Sequence, residues 1–132
     1  AEKAIIFFED RHVKARQLVL CHMDKRPDPG LHTEIAKYGA LLEYDTFYRP
    51  KYNPEHGVWS LIAVMIENGL GSRIALATDM AEKEMYAAIG GGAGLASLPR
   101  EIRARLEEMK IPETTLRGLM GENIARRLAG ID

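Results

Sequence analysis

The sequence has one cysteine, Cys21, in 132 residues. A lone thiol closes no internal disulfide, which fits a reducing compartment, with the cytoplasm as the default assignment. No apolar run approaches the roughly 18 to 20 residues that cross a bilayer, so no membrane segment is expected. Charge of one sign is also missing: 18 basic and 19 acidic side chains leave a formal charge of -1. Bulk electrostatics therefore draws the chain neither to nucleic acid nor to an anionic membrane. Gly/Ser-rich and Pro-rich linkers are absent, so a single domain is expected. The first residues carry no basic leader and no initiator methionine; they read like the middle of an amphipathic helix, and a longer parent chain is expected. What is present is ordinary for a globular protein, with 46% hydrophobic and 28% charged residues, a balance that argues against disorder and against a coiled-coil rod.

Apolar Ala4, Ile5 and Phe8 among charged neighbours predict a helix ending near His12. The run Leu18-Val19-Leu20-Cys21 predicts a buried strand stopping at His22. A Pro/Gly-containing loop, 25–30, leads to a helix from about Leu31, with Leu31, Ile35 and Tyr38 on one face and Gly39 as its C-cap. Ala40 to Asp45 is the second strand, followed by a polar and aromatic loop to Tyr52. Asn53-Pro54-Glu55 starts a helix that runs through Trp59, Ile62 and Ile66 to Gly69. Arg73 to Asp79 is the third strand. Further helices are expected over about 98–109 and 114–128, the last being a packing element built on Leu116, Leu119, Met120, Ile124 and Leu128. Strands alternating with helices point to parallel βαβ units, whose sites lie at the C-terminal strand ends. All three strand ends here, His22, Asp45 and Asp79, are ionisable.

Each of these residues has a functional and a plain reading. His22 shares a face with Leu18 and Leu20; a neutral imidazole there binds a metal or moves a proton, or else satisfies a loop carbonyl. Asp79 stands above the small Ala75 and Ala77, which leave interior room. It serves as a metal ligand or general base, or as an N-cap. Two ligands alone make no zinc site. Cys21 points away from His22 by alternation and is read as core. Lys25, Arg49 and Lys51, with Tyr48 and Tyr52 interleaved, lie in the loops after the first two strands, where cations clamp a phosphate or carboxylate or are simply solvated. The cluster Gly90-Gly91-Gly92-Ala93-Gly94 lacks the Lys-Ser/Thr ending of a P-loop and reads as a loop. His12, His32 and His56 are read as solvated, and the scattered methionines as core filling.

The runs Leu18 to Asp24, Ile74 to Met80, Gly90 to Leu95 and Gly121-Glu122-Asn123-Ile124-Ala125-Arg126-Arg127-Leu128 resemble, in that order, the C-terminal part of the phosphotriesterase-like branch of the amidohydrolase superfamily. The resemblance covers nearly all of the chain. It implies an α/β fold: the C-terminal portion, strands 6 to 8 with their helices, of a (β/α)8 TIM barrel, with residues 1–132 forming one partial barrel domain. It implies a divalent metal cofactor, two zinc ions per complete active site, with His22 and Asp79 as ligands and Asp79 also taking the proton of the bridging water. The sharper similarity is to members that open phosphorylated sugar lactones. There a lysine three residues after the sixth-strand histidine, and an arginine and tyrosine three apart after the seventh strand, hold the substrate phosphate, matching Lys25, Arg49 and Tyr52.

The first-strand histidine pair, the bridging lysine and the fifth-strand histidine of that family have no counterparts here. A three-strand piece leaves two open edges, with Leu18 and Leu20 facing the lumen. The expectation is therefore a fragment of a longer hydrolase acting on a small-molecule substrate, completed by the N-terminal barrel segment or by another copy of the chain. Two alternatives stand beside it. One keeps the metal centre but gives it an acyl-homoserine lactone or phosphotriester; the other is an inert structural or assembly module.

Overall fold

Three short parallel strands lie side by side in chain order in the computed structural model, which describes residues 2–131; Ala1 and Asp132 lie outside the described residues. The order of elements is α1 (Glu2–Glu9), β1 (Val19–Leu20), α2 (Pro29–Tyr38), β2 (Leu41–Tyr44), α3 (Ser60–Glu67), β3 (Ile74–Leu76), α4 (Ala87–Gly90), α5 (Arg103–Glu108), α6 (Glu113–Arg117) and α7 (Asn123–Leu128). The register pairs Val19 with Leu41 and Leu42 with Ile74. This is the alternating α/β arrangement expected of the C-terminal part of a (β/α)8 barrel. Among the described residues no helix is long and apolar enough to cross a membrane.

Local chemistry sets the boundaries. Asp28 caps α2 by accepting from the Leu31 amide at 3.1 Å, Pro29 occupies the first turn, and Gly39 ends the helix at φ 105°, a conformation that favours glycine. The helix predicted from Asn53 opens on a wide turn in which the Trp59 amide reaches the Pro54 carbonyl at 3.0 Å. Gly57 is needed there, because a Cβ would sit 2.8 Å from the Tyr52 carbonyl oxygen. The predicted C-terminal helix is broken at Gly121, whose φ is 152°.

β2 is the central strand, and Leu41, Leu42 and Tyr44 are all buried, as the middle of a parallel sheet covered on both faces requires. Ile35, Ile62, Met65, Ile74, Leu106, Leu116 and Leu119 complete the core around it. At the N-terminal ends of the strands, α7 supplies side-chain donors to carbonyls of Ile74 and of the segments that lead into the strands. Asn123 Nδ2 donates to Gly71 and Ile74 at 2.9 and 2.8 Å, and Arg127 donates to Gly39 at 2.8 Å and to Leu18 at 3.3 Å. The run 121–128 thus does more than pack apolar residues, and Leu128 lies outside the core at 80% exposure.

Several expectations are corrected. Leu18 is buried in the core rather than facing a lumen, and Leu20 packs partly against the same cluster. Cys21 is exposed; the chain turns after β1, and the thiol bonds to the Glu43 carboxylate, which is the main reason its pKa is pushed up to about 11. His32 is fully buried, not solvated. Its Nε2 donates to the Arg26 carbonyl at 3.0 Å and its Nδ1 accepts from the Tyr44 hydroxyl at 2.8 Å, tying the loop after β1 to the central strand.

Candidate metal and substrate site

The C-terminal ends of the three strands bring His22, Asp45 and Asp79 together. One ligand atom from each can be chosen so that all lie within 4.8 Å of one another. His22 and Asp79 both have left-handed backbones, with φ of 60° and 43°. For a histidine and an aspartate this is an uncommon conformation, of the kind that clusters at functional sites. It turns each side chain out of the strand direction at the top of the sheet.

The carboxylates are held in different ways. Asp24 is fully buried, and its Oδ2 accepts from the Asp45 amide at 2.9 Å, the Thr46 amide at 2.8 Å and the Thr46 hydroxyl at 2.7 Å. Those bonds fasten the loop after β1 to the end of β2. The Asp45 side chain is 1% exposed, and its Oδ2 is bonded to His22 Nδ1. Burial raises the Asp45 pKa to about 6, and the negative charge of Asp24 adds to the rise. Its other oxygen, Oδ1, is buried with no hydrogen-bond partner among the described residues.

Asp79 is the cationic meeting point. Arg49 Nη2 donates to Asp79 Oδ2 at 2.9 Å and to the Asp79 carbonyl at 2.8 Å, and Lys25 Nζ lies 3.8 Å from the same Oδ2. Glu82 takes Arg49 Nη1 at 3.2 Å, while Arg49 Nε is buried without a partner among the described residues. Of the residues picked from the sequence, His22, Asp79, Lys25 and Arg49 therefore converge. Among the described residues the Tyr52 hydroxyl makes no hydrogen bond to them, although the Tyr52 amide donates to the Arg49 carbonyl at 2.9 Å; the ring is half-buried, with the Lys51 ammonium 5.0 Å from its centre.

The sequence reading assigned no role to Asp24 or Asp45. Asp45 had a signal, an ionisable residue closing a buried strand. Asp24 had none, because its burial depends on where the next strand ends. The glycine cluster proves to be a loop folded on itself: a Cβ on Gly90 or Gly92 would strike the backbone of Glu84 and Met85, and Gly91 and Gly94 have φ of 73° and 72°. Beside it runs a cleft of about 480 Å³ lined by Phe47, Tyr48, Pro50, Pro54, Met80 and Met85, among others.

The His22 imidazole and the Asp79 carboxylate are donors that suit zinc or a similar divalent ion, and the buried, unpartnered Asp45 Oδ1 beside them marks a pocket whose polar groups are not satisfied by the protein alone. A donor set at the C-terminal ends of parallel strands lies where (β/α)8 barrels build their sites. The sequence profile of the Phosphotriesterase family matches residues 2–128, and the chain belongs to that family. It is similar to a lactonase from Listeria monocytogenes, with a TM-score of 0.88 and 27% identity over 96% of this chain and 40% of that one. A resiniferatoxin-binding protein from Rhodobacter sphaeroides gives 0.83 and 28% over 99% and 39%. A phosphotriesterase homology protein from Escherichia coli, solved with phosphate in its active site, shares the fold at 0.87 with 17% identity over 97% and 43%. The chain spans about 40% of the length of these structures. Among curated proteins there is no match.

Proposed function

We propose that the chain is the strand 6 to 8 portion of a metal-dependent lactonase that opens a phosphorylated sugar lactone. The observation that carries this reading is the convergence of Lys25 and Arg49 on the Asp79 carboxylate, beside His22. Besides restraining Asp79, the two cations stand where a phosphate held next to the ion finds charge-assisted donors.

In this reading His22 and Asp79 hold the ion, which when bound supplies Lewis acidity toward the lactone carbonyl and lowers the pKa of water. Asp79 accepts the proton released as water adds to the carbonyl carbon. The ring C–O bond then breaks, and the departing oxygen takes that proton from Asp79 to give the open hydroxy acid. Arg49 and Lys25 bind the substrate phosphate, and Tyr52 contributes its hydroxyl if the loop 46–52 adjusts around the ligand. The remaining ligands of a two-ion centre come from the rest of the barrel or from another copy of the chain. The chain's share of the matched structures, about 40%, and the unpaired outer edges of β1 and β3 among the described residues support such completion.

The cleft lined by Phe47, Tyr48, Met80 and Met85 favours a second reading, in which the same centre opens a lactone with an apolar acyl arm or cleaves a phosphotriester. Metal analysis of the whole protein and hydrolysis assays with phosphorylated sugar lactones, acyl-homoserine lactones and phosphotriesters decide between the two. Preference for the phosphorylated sugar lactone supports the first, and preference for the acyl or phosphotriester substrates replaces it with the second. Metal-independent hydrolysis contradicts both.

A further inference from the structure

We infer that Asp45 is the positioning residue of His22: its carboxylate takes the Nδ1 hydrogen and so leaves the Nε2 lone pair for the metal. This rests on the metal-hydrolase reading above. The His22 side chain is 44% exposed and its backbone is left-handed, so few neighbours restrict the ring, while Asp45 is 1% exposed. Asp45 Oδ2 is bonded to His22 Nδ1. An acceptor at Nδ1 selects the tautomer with hydrogen on that nitrogen, and a fixed acceptor also sets the ring plane.

The acceptor is fixed because its own backbone is fixed. Asp24 Oδ2 accepts from the amides of Asp45 and Thr46 and from the Thr46 hydroxyl, at 2.7 to 2.9 Å, all within the buried interior. The order of support runs from Asp24 to the end of β2, from there to the Asp45 carboxylate, and from Asp45 to the exposed imidazole. Asp24 lies two residues beyond His22, so the loop after β1 closes on itself through the neighbouring strand. A carboxylate that served only stability would not need to face an exposed imidazole at the strand ends.

The test is titration of the metal-stripped whole protein with Co(II), read by its visible spectrum and by competition with a chelator, for wild type, Asp45→Ala, Asp45→Asn and His22→Ala. Asp45→Ala should weaken Co(II) binding about 10- to 100-fold with the shape of the visible bands retained. Asp45→Asn, which keeps an acceptor for Nδ1, should recover most of that loss. If both Asp45 variants are as damaging as His22→Ala and change the bands, Asp45 is a ligand and the inference falls; unchanged affinity makes it a bystander, with the same result. Wild-type protein that takes up no Co(II) would instead sink the metal-hydrolase reading. Should Asp45→Ala fail to fold, ¹⁵N shifts of His22 in the metal-stripped wild type decide: hydrogen on Nδ1 supports the inference and hydrogen on Nε2 overturns it.

Discussion

Arg49 Nη2 bridges two oxygens of one residue, lying 2.9 Å from the Asp79 carboxylate and 2.8 Å from the Asp79 backbone carbonyl. The guanidinium therefore restrains both the side chain and the left-handed backbone of Asp79. Charge-assisted bonds of this type are the stronger ones in proteins, and the Arg49 side chain, at 14% exposure, is only weakly screened by solvent. The loop after β2 thus sets the position of a residue that follows β3, which makes the proposed base and the proposed phosphate clamp one mechanical unit.

Removing the Asp79 charge should stop the chemistry and spare the fold. Asp79→Asn is expected to lower lactone turnover on the order of 10³-fold, as loss of a general base does. Thermal unfolding should change little, because Asn keeps an oxygen acceptor for Arg49 and the Arg49 bond to the Asp79 backbone carbonyl is untouched. Retained turnover would make Asp79 a local backbone partner and no base.

Lys25 should act on affinity for the phosphate rather than on the reaction itself. Its ammonium stands 3.8 Å from Asp79 Oδ2 and makes no shorter recorded contact there. Lys25→Ala is expected to raise KM for a phosphorylated lactone about 10-fold, the loss of one charge-assisted contact, and to leave kcat within about twofold. Arg49→Ala should have the larger effect and lower kcat as well, since Arg49 also restrains Asp79. Steady-state kinetics on the two variants checks the split.

Acid should loosen the loop that carries His22 through His32. The ring bonds at both nitrogens as a neutral imidazole, and burial lowers its pKa from the usual value. The folded value then lies below the unfolded one of about 6.5, so the contribution of His32 is present above that pH and is lost as pH falls through the folded pKa. The melting temperature of the wild type should fall more steeply between pH 6.5 and 5 than that of His32→Gln. An NMR titration placing His32 at or above 6.5 would contradict this.

The opposite end of the sheet should matter only for stability. Asn123 Nδ2 bonds the Gly71 and Ile74 carbonyls, and Asn123→Ala leaves both without that donor, at a cost of about 1–3 kcal/mol. Chemical denaturation measures the loss, and Co(II) affinity should be unchanged because the metal-side residues stand at the other strand ends.

The strands and their order were readable because β2 and β3 are short apolar runs bounded by Gly39, Asp45 and Asp79, and because Asp28-Pro29 and Gly39 are strong helix boundaries. That His22, Lys25, Arg49 and Asp79 come together at the strand ends was foreseeable from their places after those strands and from the family resemblance. His32 was misread because a helical histidine looks alike from sequence whether it faces water or the Tyr44 hydroxyl. Asp24 and Asp45 escaped for a related reason, since their meaning lies in bonds between segments about 21 residues apart. The break at Gly121 was missed because the apolar spacing of 116–128 runs through it unaltered.

The most direct test compares two sugar lactones that differ only in a phosphate, as substrates of the metal-loaded whole protein and of its metal-stripped form. The account predicts hydrolysis that requires the ion and a kcat/KM at least about 100-fold higher for the phosphorylated lactone, the combined effect of two charge-assisted contacts. Equal kcat/KM for the pair, or turnover that survives removal of the ion, would contradict it.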